Sequence, residues 1–198
     1  MNFMISEYLK NYKVLLASSS KRRQELLKEL EINFQIILQK IEENYPKNLI
    51  KSEITDFLSK KKSVPLLNSL KENELLITSD TIVWFNNKAI EKPKNIVEAK
   101  KMLSLLSGSM HQVFTSICIS LNGRQKIVNQ ETKVFFNVLK NEDINYYVNK
   151  FDVLDRAGSY GIQDIIGHIG VNKIEGCYNN VLGFPTSLFC QTIEKMKL

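Results

Sequence analysis

The order of strands and helices predicts an α/β fold on a mixed sheet. Apolar, β-prone runs and helical periodicity follow one another along the chain, which gives a sheet with covering helices. Two long β-prone runs, residues 113–121 and 126–139, flank Asn122-Gly123, a hairpin-turn signature, so an antiparallel pair sits mid-chain. That pair argues for a mixed rather than a purely parallel sheet. No repeat, low-complexity tract or linker breaks the order, and 198 residues suit one domain, or one domain with two lobes.

Taken in order, residues 13–17 read as a short buried strand and Ser18-Ser19-Ser20 as a turn. Residues 20–30 place Leu26, Leu27 and Leu30 at helical spacing, with Ser19 or Ser20 as the N-cap. Residues 34–38 predict a second strand, and Lys40 to Pro46 a polar loop. Residues 48–62 put Ile50, Ile54, Phe57 and Leu58 on one helical face. Lys60, Lys61 and Lys62 form its last turn, where the helix dipole favours cations, and Pro65 marks its end. Residues 74–79 are a buried strand ending at Asp80. Residues 81–85 continue extended, Asn86-Asn87 turns, and residues 88–90 return. Asn95 with Glu98 is a capping-box pattern, opening a helix with Ala99, Met102, Leu103 and Leu106 inward and Gly108 as its stop. Residues 141–150 form a short helix with Ile144, Tyr147 and Val148 inward. A glycine-containing loop spans 151–163, residues 165–174 read as a last strand, and Pro185 stands before a final helix, 186–196.

The charge balance, 27 basic against 21 acidic residues, suits an anionic substrate in a cleft or weak nucleic-acid contact, but there is no basic tail. Cys118, Cys177 and Cys190 are odd in number and unpaired in spacing, so free thiols are expected rather than a disulfide framework. His111 and His168 are remote from the cysteines, which argues against zinc. Met1 to Tyr12 hold no continuous apolar segment, and no run approaches the ~20 residues of a membrane span. A soluble, cytoplasmic chain with no membrane partner is expected.

Chemistry is suggested first by Lys21, Arg22 and Arg23, three cations at a helix start, where the dipole favours anions. Either a phosphate sits among them, taking helix N–H groups, serine hydroxyls and guanidinium forks, or the side chains splay into water. Asp80, at the end of a buried strand, is a candidate metal ligand or proton acceptor, or simply a turn aspartate. Glu43, Lys62 and Lys92 are candidates by company, each alone being ordinary surface. Gln163, after Gly158 and Gly161, has an amide that can read the O4 and N3–H edge of uracil or thymine, or bond its own loop. Trp84 and Phe85 read as core, Tyr146-Tyr147 as one outward and one inward ring, and His111 as a structural hydrogen-bonder.

Together these stretches resemble the Maf family of nucleoside triphosphate pyrophosphatases. The resemblance rests on five segments in order: Leu16 to Leu27, Asp80-Thr81-Ile82-Val83 followed by Lys92-Pro93, Leu106 to Thr115, Ala157 to Gln163, and Val181 to Pro185. It implies a mixed α/β sheet in two lobes around a deep cleft, similar to inosine triphosphate pyrophosphatases. It implies hydrolysis of a nucleoside triphosphate to the monophosphate and pyrophosphate, on dTTP, UTP and modified pyrimidine nucleotides. By resemblance, Asp80 is the proton acceptor, and Arg22, Thr81 and Gln163 mark the dTTP/UTP branch. Ser18, Arg23, Lys62 and Lys92 are implied to hold phosphates, and Glu43 and Asp80 to hold Mg²⁺ or Mn²⁺. A homodimer is implied in the same way. Lys21, Glu31, Ser63 and Arg156 depart from the family's pattern, the last keeping the charge of a usual lysine. The competing readings are a 7-methyl-GTP or other modified-purine pyrophosphatase, a non-enzymatic regulator of cell division, and a nucleic-acid binder. The last should interleave aromatics with its basic residues. Here the cations stand at helix ends, which favours a small polyanion and no stable nucleic acid.

Overall fold

Glu74–Phe85 (β3) is a twelve-residue strand, buried over nearly its whole length, and it places the other elements. The computed structural model describes residues 5–196; Met1 to Met4, part of the stretch read above for a targeting segment, lie outside the described residues. Around β3 stand Lys13–Leu16 (β1), Phe34–Ile36 (β2), Lys88–Ile90 (β4), Met110–Leu121 (β5), Arg124–Phe136 (β6) and Val171–Glu175 (β7). The strand order is β2-β1-β3-β5-β6-β7, with β4 paired to β3. β1 pairs parallel with β2 and β3, whereas β4 on β3 and the run β3-β5-β6-β7 are antiparallel, so the sheet is mixed.

One edge of β3 is held by β5 from Leu76 to Trp84. The opposite edge is shared. β1 takes Glu74 to Ile77 and β4 takes Val83 to Phe85. Among the described residues, 78–82 therefore have no strand partner on that side, leaving roughly 16 Å of open edge at the usual rise of a strand. Asp80 lies in the middle of this stretch, opposite Ser116 of β5, and not at a strand end as the sequence suggested. The strand runs on through its polar residues because β5 keeps the other edge bonded.

The alternation of β3 sorts its neighbours. Leu75 and Ile77 join a cluster with Leu26 and Leu27 of helix Lys21–Glu29 (α2) and Phe189 and Ile193 of helix Thr186–Met196 (α8). Helix Ile5–Leu9 (α1) closes that cluster. Val83 joins a second, with Leu103 of helix Ile96–Leu106 (α4) and Tyr147 of helix Asn141–Lys150 (α5). Ile82 and Trp84, on the other face, meet Ile54 and Leu58 of helix Ser52–Leu67 (α3). Helices Ile165–Gly170 (α6) and Tyr178–Leu182 (α7) complete the chain.

α4, with the Asn95 side chain accepting from Glu98 N at 2.9 Å, and the bounds of α5 and α8 match the sequence reading. Tyr147 is buried, Tyr146 half-exposed, and the three cysteines are free thiols. Several elements differ. α3 runs through Pro65 to Leu67, so the three lysines are not its last turn. Pro65 is on the exposed side, where a carbonyl that loses its N–H partner is open to water. Ile50 and Phe57 are 51% and 37% exposed; the buried stripe is Ile54, Thr55, Leu58, Ser59 and Ser63. Ser20 stands at the N-cap of α2 without a side-chain bond; instead Ser18 Oγ accepts from Ser20 N at 3.2 Å. Residues 165–174 divide into α6 and the start of β7, because the Asp164 carbonyl accepts from both Gly167 N and His168 N and closes a helical turn. α1, α7 and the 3₁₀ turn Ala157–Ser159 are too short for periodicity to reveal.

His111 is 1% exposed, with Nε2 2.7 Å from Tyr160 Oη and the rings of Phe136 and Tyr160 edge-on to it. Burial pushes its pKa down to about 4. The unfolded chain therefore binds a proton between pH 6.5 and 4 that the folded chain refuses, so stability rises with pH in that window and falls on acidification. We expect this group to remove of the order of 3 kcal/mol between those limits. Urea titrations at pH 7 and pH 4.5 should show a smaller acid loss for His111→Gln than for the wild type; equal losses would contradict the assignment.

Candidate active site

The two arginines that open α2 find their negative partner in the protein. Arg22 Nε donates to Leu182 O at 3.2 Å, and Arg23 Nε donates to Gly183 O at 2.8 Å. These are carbonyls at the C-terminal end of α7, where partial negative charge gathers. The sequence left the choice between a bound phosphate and splayed side chains; these bonds supply a third answer for Nε. Gly183 is required here. Its φ is +104°, and an added Cβ would lie 3.3 Å from Thr81 Oγ1 and 3.7 Å from Arg23 Nε.

Arg23 also bridges the open edge of β3. Nη1 donates to Ser79 O at 3.0 Å and to Ser18 Oγ at 3.4 Å, and Nη2 donates to Thr81 Oγ1 at 3.0 Å. Four of its five N–H donors are thus committed within the protein. Having accepted from Arg23, Thr81 can donate to Thr115 Oγ1 at 2.9 Å, and Thr115 donates on to Asn180 O at 2.9 Å. Arg22 uses Nε alone, so among the described residues its terminal nitrogens are left for a ligand. Burial first, then Arg156 and Arg23, push its pKa down to about 10. That cluster of like charge favours an anion.

Opposite the arginines, α3 is clamped on the sheet. Thr78 Oγ1 donates to Ser59 O at 2.6 Å, and Thr55 Oγ1 lies 2.5 Å from Ser116 Oγ. One helical turn beyond Ser59, Lys62 reaches into the cleft. Its Nζ lies 2.6 Å from Asp80 Oδ1 and 2.8 Å from Glu43 Oε1. Burial raises the pKa of Asp80, against the pull of Lys62 and Arg23 and with the help of Glu43. Burial also acts to raise Glu43, but Lys62, with Lys92 and Arg23 behind it, takes that carboxyl below its usual range. One ammonium touches both carboxylates, so both reach a single cation-sized position. Two hard oxygen donors of this kind suit a hard divalent cation.

At the cleft mouth, Lys92 pairs with Asp155 at 2.7 Å, both half-exposed. On the far wall, Gln163 has a buried Oε1 without a hydrogen-bond partner among the described residues. Ser18, Arg22, Arg23, Glu43, Lys62, Asp80, Thr81, Lys92 and Gln163 all line one cavity of about 490 Å³ around the open edge of β3. Sequence reasoning missed Leu182 and Gly183 as arginine partners and Thr115 and Asn180 behind Thr81. Leu182, Gly183 and Thr115 stood inside quoted segments, but nothing local tied them to an arginine or threonine so far along the chain.

The pattern of the family described as Maf-like protein matches residues 13–196. The chain belongs to the Maf-like family. Its relatives include the dTTP/UTP pyrophosphatase of Christiangramia forsetii, 49% identical over 193 residues, covering 98% of each chain. The dTTP/UTP pyrophosphatase of Flavobacterium johnsoniae is 46% identical over 184 residues, covering 93% of this Maf-like chain and 95% of that one. Among solved structures, the Staphylococcus aureus Ham1 protein superposes with a TM-score of 0.49 at 13% identity, covering 93% of this chain and 99% of that one.

Lysine cannot reproduce the fork that Arg23 spreads over Ser79 O, Gly183 O and Thr81 Oγ1. Arg23→Lys is expected to lower stability by about 1–3 kcal/mol, the usual penalty for partly buried acceptors left unpaired. An unchanged urea midpoint would contradict that role.

Proposed function

We propose that this chain hydrolyses dTTP and UTP to the nucleoside monophosphate and pyrophosphate. The observation that carries the reading is the meeting of the Asp80–Glu43 carboxylates with Arg22, Arg23 and Lys62 in one cleft. The names of relatives 46–49% identical over nearly the whole chain support the substrate class.

In this reading the triphosphate lies along the open edge of β3. Arg22, Lys62 and Lys92 offer charge to its phosphates, with Ser18 and the remaining Arg23 donor beside them. Glu43 and Asp80 would hold a divalent cation, Mg²⁺ or Mn²⁺, which when bound offsets charge on the phosphate oxygens. Asp80 accepts the proton of the attacking water as its oxygen bonds to the α-phosphorus. The α–β bridging bond breaks, and its electron pair leaves on pyrophosphate. Arg22, Thr81 and Gln163 select the pyrimidine substrate. The Gln163 Oε1 without a partner is an acceptor for a base N3–H.

A panel of dTTP, UTP, CTP, 7-methyl-GTP and long nucleic acid, with Mg²⁺ or Mn²⁺, tests the reading through pyrophosphate release. Turnover of dTTP and UTP is expected; turnover of 7-methyl-GTP alone, or of no triphosphate, would overturn it. Asp80→Asn should lower kcat by roughly 10²–10⁴-fold, the usual worth of a positioned general base, with the protein still folded. Full activity of the folded variant would remove Asp80 from the chemistry.

A further inference from the structure

Tyr147 lies in the second core cluster, fully buried and stacked on Phe151 with ring centroids 5.0 Å apart. Packing would explain a phenylalanine there. The hydroxyl needs another explanation, because it is saturated. It donates to Asp164 Oδ2 at 2.6 Å, and accepts from Gly161 N at 3.0 Å and Arg156 Nη1 at 3.0 Å. A phenol has one donor and two acceptor sites, so this hydroxyl can do no more. Arg156 also bonds Asp164 Oδ2 directly.

Two of those partners share one feature. Gly161 and Asp164 bracket Gln163, the residue whose buried Oε1 has no partner and which lines the cleft. The Asp164 amide also bonds back to Gly161 O at 3.0 Å, closing the segment on itself. The pinning leaves no slack at Gly161, where an added Cβ would stand 2.0 Å from Arg156 Nη1 and 2.7 Å from Asp164 Oδ2.

We propose that Tyr147 is a positioning residue for base recognition: its hydroxyl, with Asp164 and Arg156, holds the backbone on both sides of Gln163 so that the amide meets the pyrimidine edge in one orientation. The orientation matters chemically. Uracil and thymine present N3–H and O4, whereas cytosine presents an N3 acceptor and an N4 amine. An amide turned over reads cytosine as well as it read uracil, so a glutamine on a loose segment discriminates poorly. Holding a recognition group in one geometry is what converts its hydrogen bonds into selectivity.

The inference rests on the reading of Gln163 as the base reader, and the experiment separates the two. Tyr147→Phe keeps the ring and removes the hydroxyl. It is measured with Gln163→Ala and the double variant, in kcat/KM for UTP and CTP, and Asp164→Asn serves as a second route should Tyr147→Phe fail to fold. Tyr147→Phe is expected to lower the UTP-to-CTP preference about 3–10-fold, within the range by which lost specific contacts change discrimination. Added to Gln163→Ala, it should lower the preference no further, because it acts through that side chain. A general loosening of the core would instead lower both substrates together and add to Gln163→Ala. Either of those results, or an unchanged preference, overturns the proposal. Hydrogen exchange of the peptide spanning 156–166 gives a readout independent of turnover. Faster exchange in Tyr147→Phe is expected, and unchanged exchange overturns the proposal even if no pyrimidine triphosphate is a substrate. If the wild type turns over UTP without preferring it to CTP, the base-reading role of Gln163 falls, and this proposal with it.

Discussion

Between Ile77 and Val83 the central strand has, among the described residues, a partner strand on one side only, and the rest of the molecule is arranged around that open edge. A sheet does not readily leave backbone acceptors unpaired in its interior. Here Arg23 supplies the missing partner, spanning Ser79 O, Thr81 Oγ1 and Gly183 O with one planar fork. It joins α2 and the C-terminal end of α7 to β3 across the gap. The same guanidinium places positive charge beside Asp80, so the device that completes the sheet also shapes the field of the cavity.

The cleft then works by opposed placements. β3 sends Thr81 toward the arginines and Asp80 toward α3, because neighbouring residues on a strand point to opposite faces. Lys62 arrives from α3 to meet Asp80 and Glu43, while among the described residues Arg22 keeps its terminal nitrogens uncommitted. Cations therefore stand on both walls, with two carboxylates on the α3 side, an arrangement suited to a small polyanion. A long nucleic acid would gain less from cations sunk in a cavity of about 490 Å³.

Much of this was legible in the sequence. The hairpin at Asn122-Gly123, the capped helix from Asn95 and the final helix after Pro185 each carry strong local signals. The motif segments held seven of the nine cleft residues before any distance was available, and Glu43 and Lys62, outside those segments, were named by the family resemblance. What local pattern could not give was the long-range pairing. The carbonyls that receive Arg22 and Arg23 lie 160 residues away, on a helix of five residues whose existence periodicity does not reveal. Asp80 read as a strand end because polarity rises there, whereas the strand continues under the hold of β5. Pro65 read as a helix stop because its cost is usually decisive, yet on the exposed side of α3 it is tolerated. Tyr147 read as an inward ring, which it is; its three hydrogen bonds belong to tertiary geometry.

The central claim is that water attacks the α-phosphorus of a triphosphate lying along the open edge of β3. Hydrolysis of UTP in ¹⁸O-labelled water, followed by mass spectrometry of both products, tests it most directly. The account predicts the label in UMP and none in pyrophosphate. Label in pyrophosphate, or release of inorganic phosphate in its place, would contradict it.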